Sequence, residues 1–215
     1  MKELLKEKKI IAILRKVPLE KLRAVTQALY DGGIRFAEVT FDQGSPTCIA
    51  DTTQAIREIG EWFPQMYAGA GTVMTVAQVE AAADAGAKYI ISPNTDFAVI
   101  HRTVELGMLS MPGAFSPSEI ADAYREGAAF VKVFPAGDLG PAYIKAIRAP
   151  IGHIPLLAVG GVELSNMKEF YQAGICGFGI GSNIVKKDFI DQEKYEELTA
   201  LARQYTTCAA QLNED

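Results

Sequence analysis

One phrase recurs along this chain and restricts what it can fold into: an amphipathic stretch, a glycine stop, then a short apolar run. The runs are Ile10–Leu14, Phe36–Thr40, Gln65–Ala70, Tyr89–Ser92, Met108–Met111, Phe130–Phe134, Leu156–Val159 and Gly177–Ile180. Segments this short and this apolar suit parallel strands buried on both faces. Between them lie helical patterns such as Leu19–Tyr30, Thr47–Trp62, Val76–Ala85 and Pro117–Arg125. The stops are Asp31-Gly32-Gly33, Ala85-Gly86, Leu106-Gly107, Glu126-Gly127 and Ala173-Gly174. Glycine there can adopt the left-handed conformation that closes a helix. Eight such units in 215 residues leave roughly 27 each, tight but adequate for an α/β fold of the (β/α)8 TIM-barrel type. The expectation is a single barrel domain over residues 1–215, with a short helix before the first strand. An open doubly wound sheet is the runner-up, but its glycine-rich first turn is missing: Arg15-Lys16-Val17-Pro18 stands there.

Composition narrows the function. The net charge is -5 and the pI about 5.2, which argues against nucleic-acid and anionic-membrane partners. The one basic run, Lys2–Lys9, is interrupted by Glu3 and Glu7 and reads as the solvated face of a short helix. Cys48, Cys176 and Cys208 show no paired spacing, so a reducing, cytoplasmic setting is expected. His101 and His153 stand apart from any ligand cluster, so no metal or cofactor is expected. No apolar run reaches membrane-spanning length, and no secretion signal is expected at the N-terminus. The chain shows no linker, only a polar tail after about Cys208.

In such a barrel the chemistry sits where the strands end at their C-terminal side. Arg15 closes the first run, Glu38 and Thr40 the second, Gly71-Thr72 the third and Pro93 the fourth. Pro112-Gly113 follows the fifth, Lys132 lies within the sixth, and Gly160-Gly161 and Gly181-Ser182 follow the last two. Lys132, in AAFVKVFP, is a cation inside an apolar strand. It either snorkels to a rim or is a desolvated amine able to attack a carbonyl. Glu38, in FAEVT, is either its structural ion-pair partner or a carboxyl group shuttling protons. The glycine turns offer bare backbone N–H groups, expected near helix starts, that would hold a phosphate.

Together these phrases resemble the KHG/KDPG aldolase family, the aldolases of 2-keto-3-deoxy-6-phosphogluconate (KDPG). The matching segments are Ile11–Arg15, Gly32–Thr40, Gly69–Val73, Ala85–Pro93, Met111–Gly113, Val131–Pro135, Gly160–Val162 and Gly179–Ser182. The resemblance implies a (β/α)8 barrel, usually a homotrimer, and a class I aldolase without a metal. It implies that Lys132 is the Schiff-base lysine and Glu38 the general acid/base. It places Arg15, Thr72 and Pro93 at the pyruvate end, Phe134 beside the lysine, and Gly160, Gly161, Gly181 and Ser182 at the phosphate. Many members carry an arginine four residues after the glutamate, where this chain has Asp42. An anion there would repel a carboxylate, so either Arg15 or Thr72 carries that contact, or Asp42 points away. Members also often have Pro-Thr where Ala158-Val159 stands.

The activity implied is cleavage of KDPG to pyruvate and glyceraldehyde 3-phosphate, with 4-hydroxy-2-oxoglutarate as a further substrate. The galactonate epimer of KDPG fits the same residues. A phosphosugar isomerase or epimerase barrel, and a non-catalytic phosphosugar-binding barrel, are the alternatives.

Overall fold

A computed structural model describes residues 1–213. A short helix, α1 (Lys2–Lys8), leads into β1 (Ile10–Leu14), α2 (Leu19–Asp31), β2 (Phe36–Thr40), α3 (Cys48–Trp62) and β3 (Tyr67–Gly71). Then come α4 (Val76–Asp84), β4 (Tyr89–Ile91), α5 (Phe97–Glu105), β5 (Leu109–Met111), β6 (Gly113–Ala114) and α6 (Pro117–Arg125). The chain continues through β7 (Val131–Val133), α7 (Ala136–Ile151), β8 (Leu156–Val159), α8 (Met167–Gln172) and β9 (Ile175–Ile180). It closes with α9 (Lys187–Asp191) and α10 (Tyr195–Gln211).

The strands pair in parallel in the order β5-β4-β3-β2-β1-β9-β8-β7-β6. The two ends of that list are neighbours in the chain, separated only by Pro112. They are one barrel strand broken at a proline, which has no N–H to give to a ladder. The result is a (β/α)8-type barrel with nine strand segments instead of the expected eight. The Phe134–Pro135 peptide is cis.

Two apolar layers hold it. Inside the barrel, Ile11, Phe36, Tyr89, Phe130 and Leu157, near the N-terminal ends of their strands, pack into one cluster with Ile91 and Met111. Leu5 of α1 joins them with no exposed surface, so the leading helix plugs that end. Burying one leucine contributes about 2 kcal/mol. The outward residues of the same strands, such as Ala12, Ala37, Val131, Val133 and Ala158, pack beneath the helices. The glycine stops behave as their positions foretell: Gly33, Gly86, Gly107, Gly127 and Gly174 have φ of 94, 88, 74, 104 and 104°. Thr75, Asp96 and Ser116 cap α4, α5 and α6 with side-chain oxygens.

Three expectations need correction. Lys9 is not on a solvated face: it is 3% exposed, its backbone is left-handed, and its ammonium donates to Lys6 O (2.8 Å) and to Asn213 Oδ1. The tail after Cys208 is helical as far as Gln211. The helix after Gly160-Gly161 begins only at Met167, with the five residues 162–166 intervening.

Candidate active site

Strand alternation decides where the two charged residues point. On β7, Val131 and Val133 face the helix layer, so Lys132 faces the barrel interior. On β2, Ala37 and Val39 face the helices, so Glu38 also faces inward. Lys132 is 6% exposed and Glu38 2%. Among the described residues no ion pair within 4.0 Å joins them, and Glu38 Oε2 is buried without any hydrogen-bond partner. The reading of Glu38 as a structural ion-pair partner of Lys132 therefore fails.

The electrostatics follow from that isolation. Burial pushes the Lys132 ammonium below the usual lysine range; Glu38 pulls it back up and Arg15 presses it further down. Burial pushes the Glu38 carboxyl up, against the pull of Lys132 and Arg15. Both shifts move the pair toward neutral amine and neutral acid. Beneath them Tyr89 is held in its neutral form, first by burial and then by the charge of Glu38. Lys132 Nζ also stands 4.7 Å from the centroid of the Phe134 ring.

A cavity of about 220 Å³ opens over these groups at the C-terminal ends of the strands. It is lined by Arg15, Glu38, Lys132, Phe134, Val159, Gly160, Gly161, Gly181 and Ser182, with Ile13, Val162, Gly179, Ile180 and Asn183 completing the wall. Eight of the ten residues singled out from the sequence thus share one space. Thr72 and Pro93 lie outside its lining. Thr72 is nevertheless held in a left-handed conformation (φ 56°) that a β-branched residue adopts only under constraint. Its carbonyl accepts from Gln43 Nε2 at 2.7 Å; Gln43 Oε1 accepts from Gln78 Nε2 at 2.9 Å; Gln78 Oε1 accepts from Met74 N at 2.7 Å. Asp42 is turned away from the cavity and pairs with Lys16 Nζ at 3.0 Å, a contact that holds its carboxyl below the usual range.

The glycine turns sit side by side. Gly160 and Gly161 have φ of 84 and 73°, and Gly160 O accepts from Gly137 N at 2.7 Å. Neither turn leads directly into a helix, whereas the sequence reading set both near helix starts. The one after Gly181 makes a single helical turn, with Ile184 N and Val185 N donating to Gly181 O. Its amides would act as local donors rather than through a helix dipole. Asn183 went unnoticed in the sequence. Its Nδ2 donates to Val162 O at 2.8 Å and so ties the two turns together. Among the described residues no group of three or more His, Cys, Asp and Glu could hold a metal ion.

The family model for KDPG and KHG aldolase matches residues 1–201. The chain belongs to the KDPG and KHG aldolase family. Within it, the chain is 39% identical over 181 residues to a Rhizobium meliloti protein named "Probable 2-dehydro-3-deoxy-6-phosphogalactonate aldolase", covering 84% of this chain and 83% of that one. It is 32% identical over 206 residues to the 2-dehydro-3-deoxy-phosphogluconate aldolase of Treponema pallidum, covering 94% of each. A solved KDPG aldolase from Legionella pneumophila, with pyruvate captured as a covalent carbinolamine intermediate, superposes with a TM-score of 0.84 at 27% identity, covering 94% of this chain and 96% of that one. No helix of the described residues is long and apolar enough to cross a membrane.

Proposed function

We propose that Lys132 is the Schiff-base nucleophile and Glu38 the general acid/base of a class I aldolase acting on a 2-keto-3-deoxy-6-phospho sugar acid. As a member of this family the chain is an aldehyde-lyase. The observation that carries the site reading is the pair of buried ionisable groups, Lys132 and Glu38, with no ion pair within 4.0 Å between them, opening on one small cavity with two glycine turns at its rim.

The lowered Lys132 pKa leaves a fraction of free amine, which adds to the C2 ketone to give a carbinolamine. Protonation by Glu38 releases water and leaves an iminium ion. The C4 hydroxyl then gives its proton to the Glu38 carboxylate. The C3–C4 bond breaks, and its electron pair moves to the iminium nitrogen as an enamine. Glyceraldehyde 3-phosphate departs. Glu38 returns the proton to C3, and water releases pyruvate from Lys132. Arg15 supplies a cation for the substrate carboxylate, while the Asp42 anion, which would repel it, pairs with Lys16 outside the cavity lining. Gly160, Gly161, Gly181 and Ser182 offer neutral donors to the phosphate. Thr72 and Pro93, outside the cavity lining, are assigned to the pyruvate end by the family resemblance alone.

The galactonate epimer is a second reading, favoured by the 39% identity to the Rhizobium meliloti relative. Incubation with pyruvate and borohydride tests the chemistry: a pyruvyl mass on the peptide containing Lys132 is expected. An adduct on Lys145 or Lys168, or none, overturns the assignment. A retro-aldol panel over KDPG, its galactonate epimer and 4-hydroxy-2-oxoglutarate ranks the substrates. We also propose a homotrimer. Met74, Phe97 and Phe115 are 38, 46 and 53% exposed on the segments after β3, β4 and β6, at one end of the barrel. Light scattering on the purified chain reads its mass.

A further inference from the structure

The inward face of β3 carries no side chain beyond Tyr67. Ala68 and Ala70 belong to the helix-side cluster, which leaves Tyr67, Gly69 and Gly71 facing the interior. The two bare positions are filled from the strands on either side. A β-carbon at Gly69 would overlap the ring of Tyr89 on β4. A β-carbon at Gly71 would overlap Oε1 and the carboxyl carbon of Glu38 on β2, and would stand 2.5 Å from its Cγ. Neither glycine has a positive φ. Backbone conformation therefore does not require them; the space does.

We propose that Gly71 is a positioning residue for the aldol reaction, holding open the room on β3 in which the Glu38 carboxyl lies. The proposal rests on the acid–base role of Glu38 given above. In the register Glu38 stands opposite Gly69, so its side chain leans along β3 to reach Gly71. Tyr89 occupies the space over Gly69 and blocks the other direction. Glu38 Oε2 has no hydrogen-bond partner, so fit fixes the group where bonds do not. A methyl group at position 71 must reach an ordinary contact distance of about 3.5 Å, which displaces the carboxyl by on the order of 1 Å. A misplacement of that size can cost about 10²-fold in rate.

Two readouts separate the steps. Exchange of the pyruvate methyl hydrogens with deuterium in D2O reads proton transfer; borohydride trapping of pyruvate reads the imine. Gly71→Ala should lower the exchange rate about 10²-fold and leave the saturating yield of trapped adduct unchanged. In a Glu38→Gln background it should have almost no further effect, because no carboxylate is left to displace. In a Glu38→Asp background the shorter side chain leaves room for the methyl group, and the loss should shrink. That background keeps the test available if the single variant is unstable. The same fractional loss in all three backgrounds would overturn the proposal, as would wild-type exchange in Gly71→Ala alongside slow exchange in Glu38→Gln. Wild-type exchange in Glu38→Gln itself would remove the role of Glu38 and the proposal with it.

Discussion

Replacing both buried charges with apolar residues, Lys132→Met together with Glu38→Leu, should make the barrel more stable and catalytically dead. The two side chains are 6 and 2% exposed and share no ion pair within 4.0 Å, and for each of them burial outweighs the attraction of the other. Exchanging buried ionic groups for well-packed apolar ones of similar size stabilises proteins by about 1–4 kcal/mol. In a domain of this size 1 kcal/mol moves Tm by about 2–4 °C. A gain near 2 kcal/mol would therefore raise Tm by about 4–8 °C. The pH profile gives the cause away. The raised Glu38 pKa means that the wild type loses stability as pH climbs from the ordinary carboxylate range through the raised value. The lowered Lys132 pKa means that it loses stability as pH falls from the ordinary lysine range through the lowered value. The Tm gap between variant and wild type should thus be widest near neutrality and narrow toward about pH 4 and about pH 10. Calorimetry over that range measures it. A gap that is flat with pH, or a variant melting below wild type, would show that the two charges are adequately solvated where they stand.

Ser182→Ala should weaken use of the phosphorylated substrate by about 1–2 kcal/mol in kcat/KM, one hydrogen bond to a charged group, and leave pyruvate trapping unchanged; equal losses would move Ser182 to the reacting centre. Asn183→Ala removes the bond to Val162 O and should raise KM for the phosphorylated substrate with little change in kcat on a substrate without phosphate. Asp42→Asn should change activity less than about threefold, because Asp42 pairs with Lys16 in solvent and does not line the cavity. A large gain in carboxylate affinity would mean that the anion does reach the cavity.

Ile10–Leu14, Phe36–Thr40 and Leu156–Val159 were legible to the residue. Each is buried from end to end, so apolar character marks both of its limits. Gly177–Ile180 was read two residues short: β9 starts at Ile175, directly after the Ala173-Gly174 stop. Lys132 and Glu38 stood out because a charge between apolar neighbours breaks the strand pattern. The break at Pro112 carried a visible cause, the missing N–H, yet a lone proline also ends strands outright. What composition could not show were contacts made across loops. Gln43 meets Gln78, and Lys16 meets Asp42, only once β1, β2 and β3 have brought their C-terminal segments to one rim. Asn183 is a polar residue after a glycine turn, and no spacing distinguishes it from any other.

The interruption at Pro112 gives the barrel a seam. β6 is two residues long, and Lys132 N donates to Pro112 O at 2.9 Å while Phe134 N donates to Ala114 O at 3.1 Å. The lysine's own strand is therefore stitched on one side to the shortest segment of the ring and on the other to β8 by a regular ladder. Local opening begins where the fewest bonds must break together. The amides of Lys132 and Phe134 should thus exchange with solvent hydrogen ahead of those of β1 and β2, which are laddered on both sides. The wall that bears Lys132 would be the one that breathes.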